Sequence, residues 1–333
     1  MTGGITDHTP AHPRRRAPSA VYATWTRIAA SVLWGPAYSA LRVLLRLQGP
    51  KRISAMVRVK DEEEFLYPAI KSIVDLVDEV VVVDNLSSDG TAQIIDALKR
   101  EYPGKLSCHV YPYEIRRRGR ENWELASAPQ GRSSPHLLSS YYNWCLRKCS
   151  MPYVLKWDGD MIATAELPAA LQAWRQSSAA ALAFHGVNVH PDRRHLIAAR
   201  LSDAAEIIKP LTIPQVPKWV STMSHTYPEW WLFPRLGARF TNDVWWCETL
   251  RSPYLRPSAI ARRFGQRADE PCFLHLRFCK REPFTGYSDD FREMIQANLT
   301  AGPPLQPEWK GLLDKIVQEP PSPFRRQPPH DRQ

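Results

Sequence analysis

Four consecutive valines, Val80 to Val83, stand in the stretch "DEVVVVDN" (residues 78–85). A run that is β-branched at every position shows no polar alternation, so both faces of the strand it forms must be covered. That is the pattern of a central parallel strand with helices above and below. Before it, "KRISAMVRV" (51–59) reads as another strand, and "KDEEEFLYPAIKSIVDLV" (60–77) places Phe65, Ile70, Ile73, Val74 and Val77 at helical spacing. After it, "SSDGTAQIIDALKREYPG" (87–104) opens with turn residues and becomes a helix that stops near Gly104, and "KLSCHVYPY" (105–113) supplies a third strand. Strand, helix, strand, helix, strand predicts a right-handed α/β half.

The segment "GRENWELASAPQGRSSP" (119–135) is rich in breakers and reads as a loop. "HLLSSYYNWCLRKC" (136–149) reads as a helix with Leu137, Leu138, Tyr141, Tyr142 and Cys145 inward, leading into the strand "MPYVLKWDGDM" (151–161). Ligands of open α/β sheets bind at the carboxyl ends of the strands, where Asp84 and the pair Asp158 and Asp160 are expected. Beyond residue 165 come a helix near 166–176 and strands near 179–189 and 195–201. A Pro- and Trp-rich segment then runs over 210–275 with Trp219, Trp230, Trp231, Trp245 and Trp246, as aromatic platforms for an acceptor or as a small aromatic core. The tail after about residue 303, rich in Pro and Arg, reads as loose.

A chain of 333 residues can bury a sizeable core without disulfides. Its six cysteines form no CxxC pair, which argues against a zinc site; they read as small buried thiols. The net charge of +10 favours anionic partners such as nucleotides or phospholipid head groups. No stretch interleaves basic and aromatic residues in a nucleic-acid-binding pattern, so no nucleic-acid partner is expected. Residues 1–20 read as a disordered basic tail and 21–50 as an amphipathic helical segment. The apolar run of the latter is broken by Arg27, Gly35, Pro36, Arg42 and Arg46, too often for a membrane span. Its Tyr22, Trp25, Trp34 and Tyr38 suit either an anionic membrane interface or packing on the catalytic domain. The expected location is cytoplasmic, peripheral at the inner face of the cell membrane.

The chemistry concentrates in few residues. Asp158-x-Asp160 after an apolar strand suits a divalent cation, Mg²⁺ or Mn²⁺, bridging carboxylates to a diphosphate; without a metal the two charges are expected to raise each other's pKa. Taken alone the pair reads more readily as a solvated turn. Three companions favour the metal: Asp84, whose carboxylate can accept from a base N–H; Arg58 in "VRVKDEEEF", whose polar turn can flank a nucleoside; and His275 in "CFLHLRF", able to complete a metal site.

Taken together, "ISAMVRVKDEEEFLYPAIKSIVDLVDEVVVVDNLSSDGTAQII" and "YYNWCLRKCSMPYVLKWDGDM" resemble the family 2 glycosyltransferases of the GT-A fold over residues 52–165. Past 165, "WWLFPRLGARFTNDVWWCETL" is similar to a segment of a bacterial branch of that family, with Cys247 where His is usual; Asp61 likewise stands where Asn is usual. The resemblance implies an α/β GT-A nucleotide-diphospho-sugar transferase fold, with a mixed central sheet flanked by helices behind the N-terminal amphipathic segment. It implies a nucleotide-sugar-binding half over 51–165, an acceptor-binding and catalytic half over 166–300, and a tail over 301–333.

The activity it implies is metal-dependent hexosyl transfer, inverting, from a nucleotide-sugar donor to a hydroxyl acceptor such as a glycan or lipid-linked glycan of polysaccharide biosynthesis. Arg58, Glu62, Asp84, Asp158 and Asp160 would bind the donor, with Asp84 on the nucleobase. Asp160 would be the principal metal ligand, joined by Asp158 and His275. Glu248 would be the general base, with Asp243 as its rival. The basic loop 116–120 could close over phosphates. A nucleotidyltransferase is the alternative enzyme, disfavoured because no Gly-rich phosphate loop follows the first strand; a non-catalytic membrane-bound scaffold of the same fold is the other.

Overall fold

A computed structural model describes residues 40, 43–44, 49–197, 229–244, 247–253 and 265–318. The expected N-terminal tail, most of the amphipathic segment, Trp219, Trp245 and Trp246 lie outside the described residues. Residues 1–47 and 48–333 are separate compact units, and the elements below all belong to the second. Among the described residues no helix is long and apolar enough to cross a membrane.

The expected α/β half is present. Strand β1 (Ile53–Val59) is buried at every position; helix α1 (Leu66–Ile73) covers the sheet with Leu66, Ala69, Ile70 and Ile73; β2 (Glu79–Asp84) carries the valine run. Helix α2 (Thr91–Glu101) buries Ile94, Ile95 and Leu98, and β3 (Leu106–Val110) follows. β2 is parallel to both β1 and β3, as a run apolar on both faces requires. The expected loop at 119–135 instead contains helix α3 (Arg120–Ser127) and a turn of 3₁₀ helix at Gly131–Ser133. Helix α4 (Leu138–Lys148) buries Leu138, Tyr141, Tyr142 and Cys145 against the sheet, as expected. The thiols of Cys145, Cys149, Cys272 and Cys279 are buried and unbridged.

β4 (Tyr153–Asp158) lies parallel to β1 on the side away from β2, and is followed by β5 (Met161–Ala163) and α5 (Glu166–Gln176). The remaining elements are β6 (Ala181–Phe184), β7 (Gly186–Asn188), β8 (His195–Ile197), β9 (Glu229–Pro234), β10 (Arg239–Val244), β11 (Cys247–Arg251), β12 (Gly265–Arg267), β13 (Phe273–His275), α6 (Asp289–Asn298), β14 (Ala301–Pro304) and α7 (Pro307–Gln318). The main sheet has seven strands in the order β12-β6-β9-β4-β1-β2-β3, mixed because β9 runs antiparallel to both β4 and β6.

The chain beyond 303 differs from the loose tail expected: β14 pairs with β8, and α7 buries Leu313 in a cluster with Phe65, Ile162, Leu274 and Leu276. The helical spacing of Trp309, Leu312, Leu313 and Ile316 outweighs the surrounding Pro and Arg composition. Residues 319–333 lie outside the described residues. Of the aromatic segment, Trp231 is core: it stacks on Phe184 at 6.2 Å and meets the edge of Phe273 at 5.2 Å.

One consequence of strand order positions everything else. The order β3-β2-β1-β4 reverses direction between β1 and β4, and such a switch point opens a crevice at the carboxyl ends of the two strands.

Candidate functional site

The register at the switch point sets Arg58 of β1 beside Asp158 of β4, and Val59 beside Asp84 at the end of β2. The Arg58 guanidinium is buried, ion-pairs with Asp158 and lies 3.9 Å from the centre of the Tyr142 ring on α4. Its Nε is buried with no hydrogen-bond partner, so the group is held by charge and by the ring face. Asp160 is two residues on, in the tight turn between β4 and β5. A Cβ at Gly159 would come within 2.9 Å of Val59 and Glu62, so the close approach of that turn to the first strand needs glycine.

His275 arrives from the far end of the chain because β13 pairs antiparallel with β5 and parallel with β7. The Leu276 N–H donates to the Asp160 carbonyl at 2.8 Å, and His275 Nε2 lies 3.1 Å from Asp160 Oδ1. One ligand atom from each of Asp158, Asp160 and His275 falls within 4.8 Å of the others. Two carboxylate oxygens and an imidazole nitrogen fit a divalent cation, and the nitrogen suits Mn²⁺ better than Mg²⁺.

The electrostatics correct one expectation. Asp160 does push the Asp158 carboxyl upward, as two neighbouring charges should, but neither carboxyl ends above the usual range. Burial pushes both upward, but the Arg58 guanidinium outweighs it at Asp158, and the Lys280 ammonium with His275 outweighs it at Asp160, so both carboxyls lie below the usual range. Burial pushes His275 down, against the pull of Asp160, leaving the neutral imidazole that a metal ligand requires. Glu62 is raised by burial, opposed by Lys280 and reinforced by Asp160.

Two cations here were not singled out in the sequence. After β13 a single 3₁₀ turn (Arg277–Cys279) curls the chain back, so that Lys280 Nζ lies 2.7 Å from Asp160 Oδ2 and also bonds Glu62 Oε1. Arg277 faces the same carboxylates, and Asp160, Asp158 and Glu62 all favour its charged form over the cost of burial. A basic residue two and five positions after the late histidine was the available signal.

The acidic run of "KDEEEF" is a junction rather than a plain polar turn. Asp61 accepts from the Ser88 N–H at 2.7 Å and Glu63 from the Gly90 N–H at 3.0 Å, while the N–H of Glu62 donates to Thr91 Oγ1 at 2.7 Å. Glu64 accepts from the Arg281 N–H at 2.7 Å. Asp61 adopts φ +53, a left-handed conformation that Asp tolerates as Asn does. The acids thus tie the first two strand-to-helix turns to each other and to the segment bearing Lys280.

A cavity of about 510 Å³ opens over these groups, lined among others by Arg58, Glu62, Asn85, Asp158, Asp160 and Lys280. The basic loop 116–118 and Glu282, Pro283, Thr285, Gly286 and Tyr287 also line it. These two segments are joined: the Arg118 N–H donates to the Gly286 carbonyl and the Ser288 N–H to the Arg118 carbonyl, each at 2.8 Å. Asp84 is not among the lining residues; its Oδ1 accepts from the N–H of Ser87 at 3.1 Å and from the Ser87 hydroxyl at 2.5 Å. Glu248 lies outside the lining as well, 3.7 Å from Lys156 on β4. Asp243 falls on β10, and its side chain lies outside what is described.

Residues 54–122 match the family model described as Glycosyl transferase family 2. That match covers the first two βα units of the sheet and agrees with the resemblance read from the sequence. No curated protein matches the chain. Among solved structures, the chain is similar to S. aureus TarS 1-349 at 15% identity and a TM-score of 0.37, covering 80% of this chain and 70% of that one. The same TarS segment in complex with UDP gives 16%, 0.38, 80% and 71%. Glucosyl-3-phosphoglycerate synthase from Mycobacterium tuberculosis, in complex with Mn²⁺, UDP and glucosyl-3-phosphoglycerate, gives 18% and 0.31, covering 56% of this chain and 57% of that one.

Proposed function

We propose that the chain transfers a sugar from a nucleoside-diphosphate donor to a hydroxyl acceptor, using a divalent cation held by Asp158, Asp160 and His275. The observation that carries this reading is the meeting of those three residues, from distant parts of the chain, at the switch point and beneath a cavity with cationic walls. A bound cation would offset the charge that develops on the departing diphosphate. Lys280, Arg277 and the basic loop supply further positive charge along the same wall. The nucleoside is assigned to the end of the cavity at Asn85, whose side chain is fixed by donating to the Tyr113 carbonyl at 2.7 Å; for Asp84 to reach the base as the resemblance implies, its carboxylate must leave Ser87.

The proton acceptor for an inverting transfer is assigned to the β10–β11 pair, with Glu248 first and Asp243 second. Lys156 and Asp158 lie two apart on β4 and so point to one face of the sheet, which puts Glu248, beside Lys156, on the face that carries Asp158. A glycan or lipid-linked glycan acceptor, reached at an anionic membrane surface through residues 21–50, completes the reading. It also keeps the division into a donor half over 51–165 and an acceptor half over 166–300.

The test is a panel of sugar nucleotides with Mn²⁺ present and with it chelated. Metal-dependent release of nucleoside diphosphate together with a glycosylated product supports the proposal. Release of pyrophosphate from a nucleoside triphosphate supplied with a sugar 1-phosphate would make the chain a nucleotidyltransferase, and tight nucleotide binding without turnover under any condition would make it a scaffold.

A further inference from the structure

Lys280 is placed where an incoming divalent cation would act. Its ammonium spans Asp160 Oδ2, at 2.7 Å, and Glu62 Oε1, and it is largely buried. Arg58 holds Asp158 in the same way, so each carboxylate of the candidate metal arm already has one oxygen engaged by a cation of the chain. The other oxygen of Glu62, Oε2, is buried and has no hydrogen-bond partner, which marks a site whose polar groups are incompletely satisfied without a ligand. A cation entering this arrangement alone would face Arg58, Arg277 and Lys280 with no new negative charge to balance them. A diphosphate entering with it changes that balance, because the Lys280 side chain then has phosphate oxygens within the same cavity to take in place of Asp160.

We propose that Lys280 is a resident counter-cation of the donor site: it holds Asp160 and Glu62 when the site is empty of ligand and passes to the donor diphosphate on binding, so that cation and nucleotide bind as an interdependent pair. This rests on the glycosyltransferase reading. Lys280 acts on affinity by ceding Asp160, and its role is that of a positioning residue. By linkage, the factor by which a diphosphate tightens cation binding equals the factor by which the cation tightens diphosphate binding. Lys280 sets that factor.

The experiment measures Mn²⁺ binding by the loss of the free-ion electron paramagnetic resonance signal, with and without UDP, for the full chain and for Lys280→Gln and Lys280→Arg. The wild type is expected to bind Mn²⁺ about tenfold more weakly alone than with UDP. Lys280→Gln should bind Mn²⁺ alone about tenfold more tightly than the wild type and lose most of the coupling, and Lys280→Arg should keep it. Equal wild-type affinity with and without whichever of UDP, GDP or dTDP binds overturns the proposal without recourse to any variant. So does a Lys280→Gln protein whose Mn²⁺ affinity and coupling match the wild type. If neither UDP, GDP nor dTDP binds the wild type in the presence of Mn²⁺, the donor reading itself fails, and this inference with it.

Discussion

Arg58 offers the sharpest test of the electrostatic design, through Arg58→Met, which keeps an unbranched apolar stem and removes the charge. The guanidinium and its partner Asp158 are both largely shielded from water, with 4% and 16% of their side chains exposed. Removing one member of a buried pair leaves the other charge uncompensated, at a cost of about 3–5 kcal/mol. Lost contact with the Tyr142 face falls within that figure. The pH dependence carries the sign. In the wild type the Asp158 carboxyl is held below its unfolded value, so the pair stabilises the fold above the unfolded pKa of about 3.9 and that contribution is lost as pH falls toward the folded value.

In the variant burial and Asp160 push Asp158 upward against His275 and Arg118 alone, so its carboxyl rises above its wild-type folded value. The folded variant then takes up a proton at a higher pH than the folded wild type does, so the cost of the substitution shrinks on acidification. Urea unfolding at a series of pH values measures it. A cost under about 1 kcal/mol at pH 7, or a cost that grows on acidification, would refute the reasoning.

Other outcomes follow from single contacts. Gly119 has φ +114, and a Cβ there would fall 2.0 Å from Ser288 Oγ and 2.9 Å from Phe291 Cβ, so Gly119→Ala should cost about 2–4 kcal/mol and loosen the joined segments over the cavity, read as lower denaturation midpoint and weaker nucleotide affinity. Leu313→Ala should cost about 2–4 kcal/mol in urea unfolding, since Leu313 is 4% exposed in its cluster; no effect would mean that α7 does not contribute to the core. Glu248→Gln should lower kcat by about a hundredfold or more with donor affinity unchanged, while Asp243→Asn leaves kcat near wild type; the reverse pattern would move the base to Asp243.

What the sequence disclosed and what it withheld divide along physical lines. The valine run, the helical spacing of Ile70 and Ile73, and the inward face of α4 are local patterns, and each forms the element expected of it. Helix α3 was hidden because Gly119, Pro129 and Gly131 punctuate a segment whose interior, "RENWELAS", is itself adequate for a short helix. Helix α7 was masked in the same way by the prolines around it. At the site, Asp158, Asp160 and His275 could be named from residue type and position. The ion pairs that set their charge could not, because Arg58 meets Asp158 across 100 residues and Lys280 meets Glu62 across 218. No periodicity records such a meeting. The placement of Asp84 against Ser87, outside the cavity lining, likewise follows from how the "DNLSSDG" turn folds back on its own strand end.

The most direct test of the central claim is anomalous diffraction at the manganese edge from crystals of the full chain grown with Mn²⁺ and UDP. The account predicts one strong peak among Asp158, Asp160 and His275, adjoining the diphosphate, and its loss in Asp160→Asn crystals. A manganese peak elsewhere with nucleotide bound in the cavity, or an undiminished peak in Asp160→Asn, would contradict it.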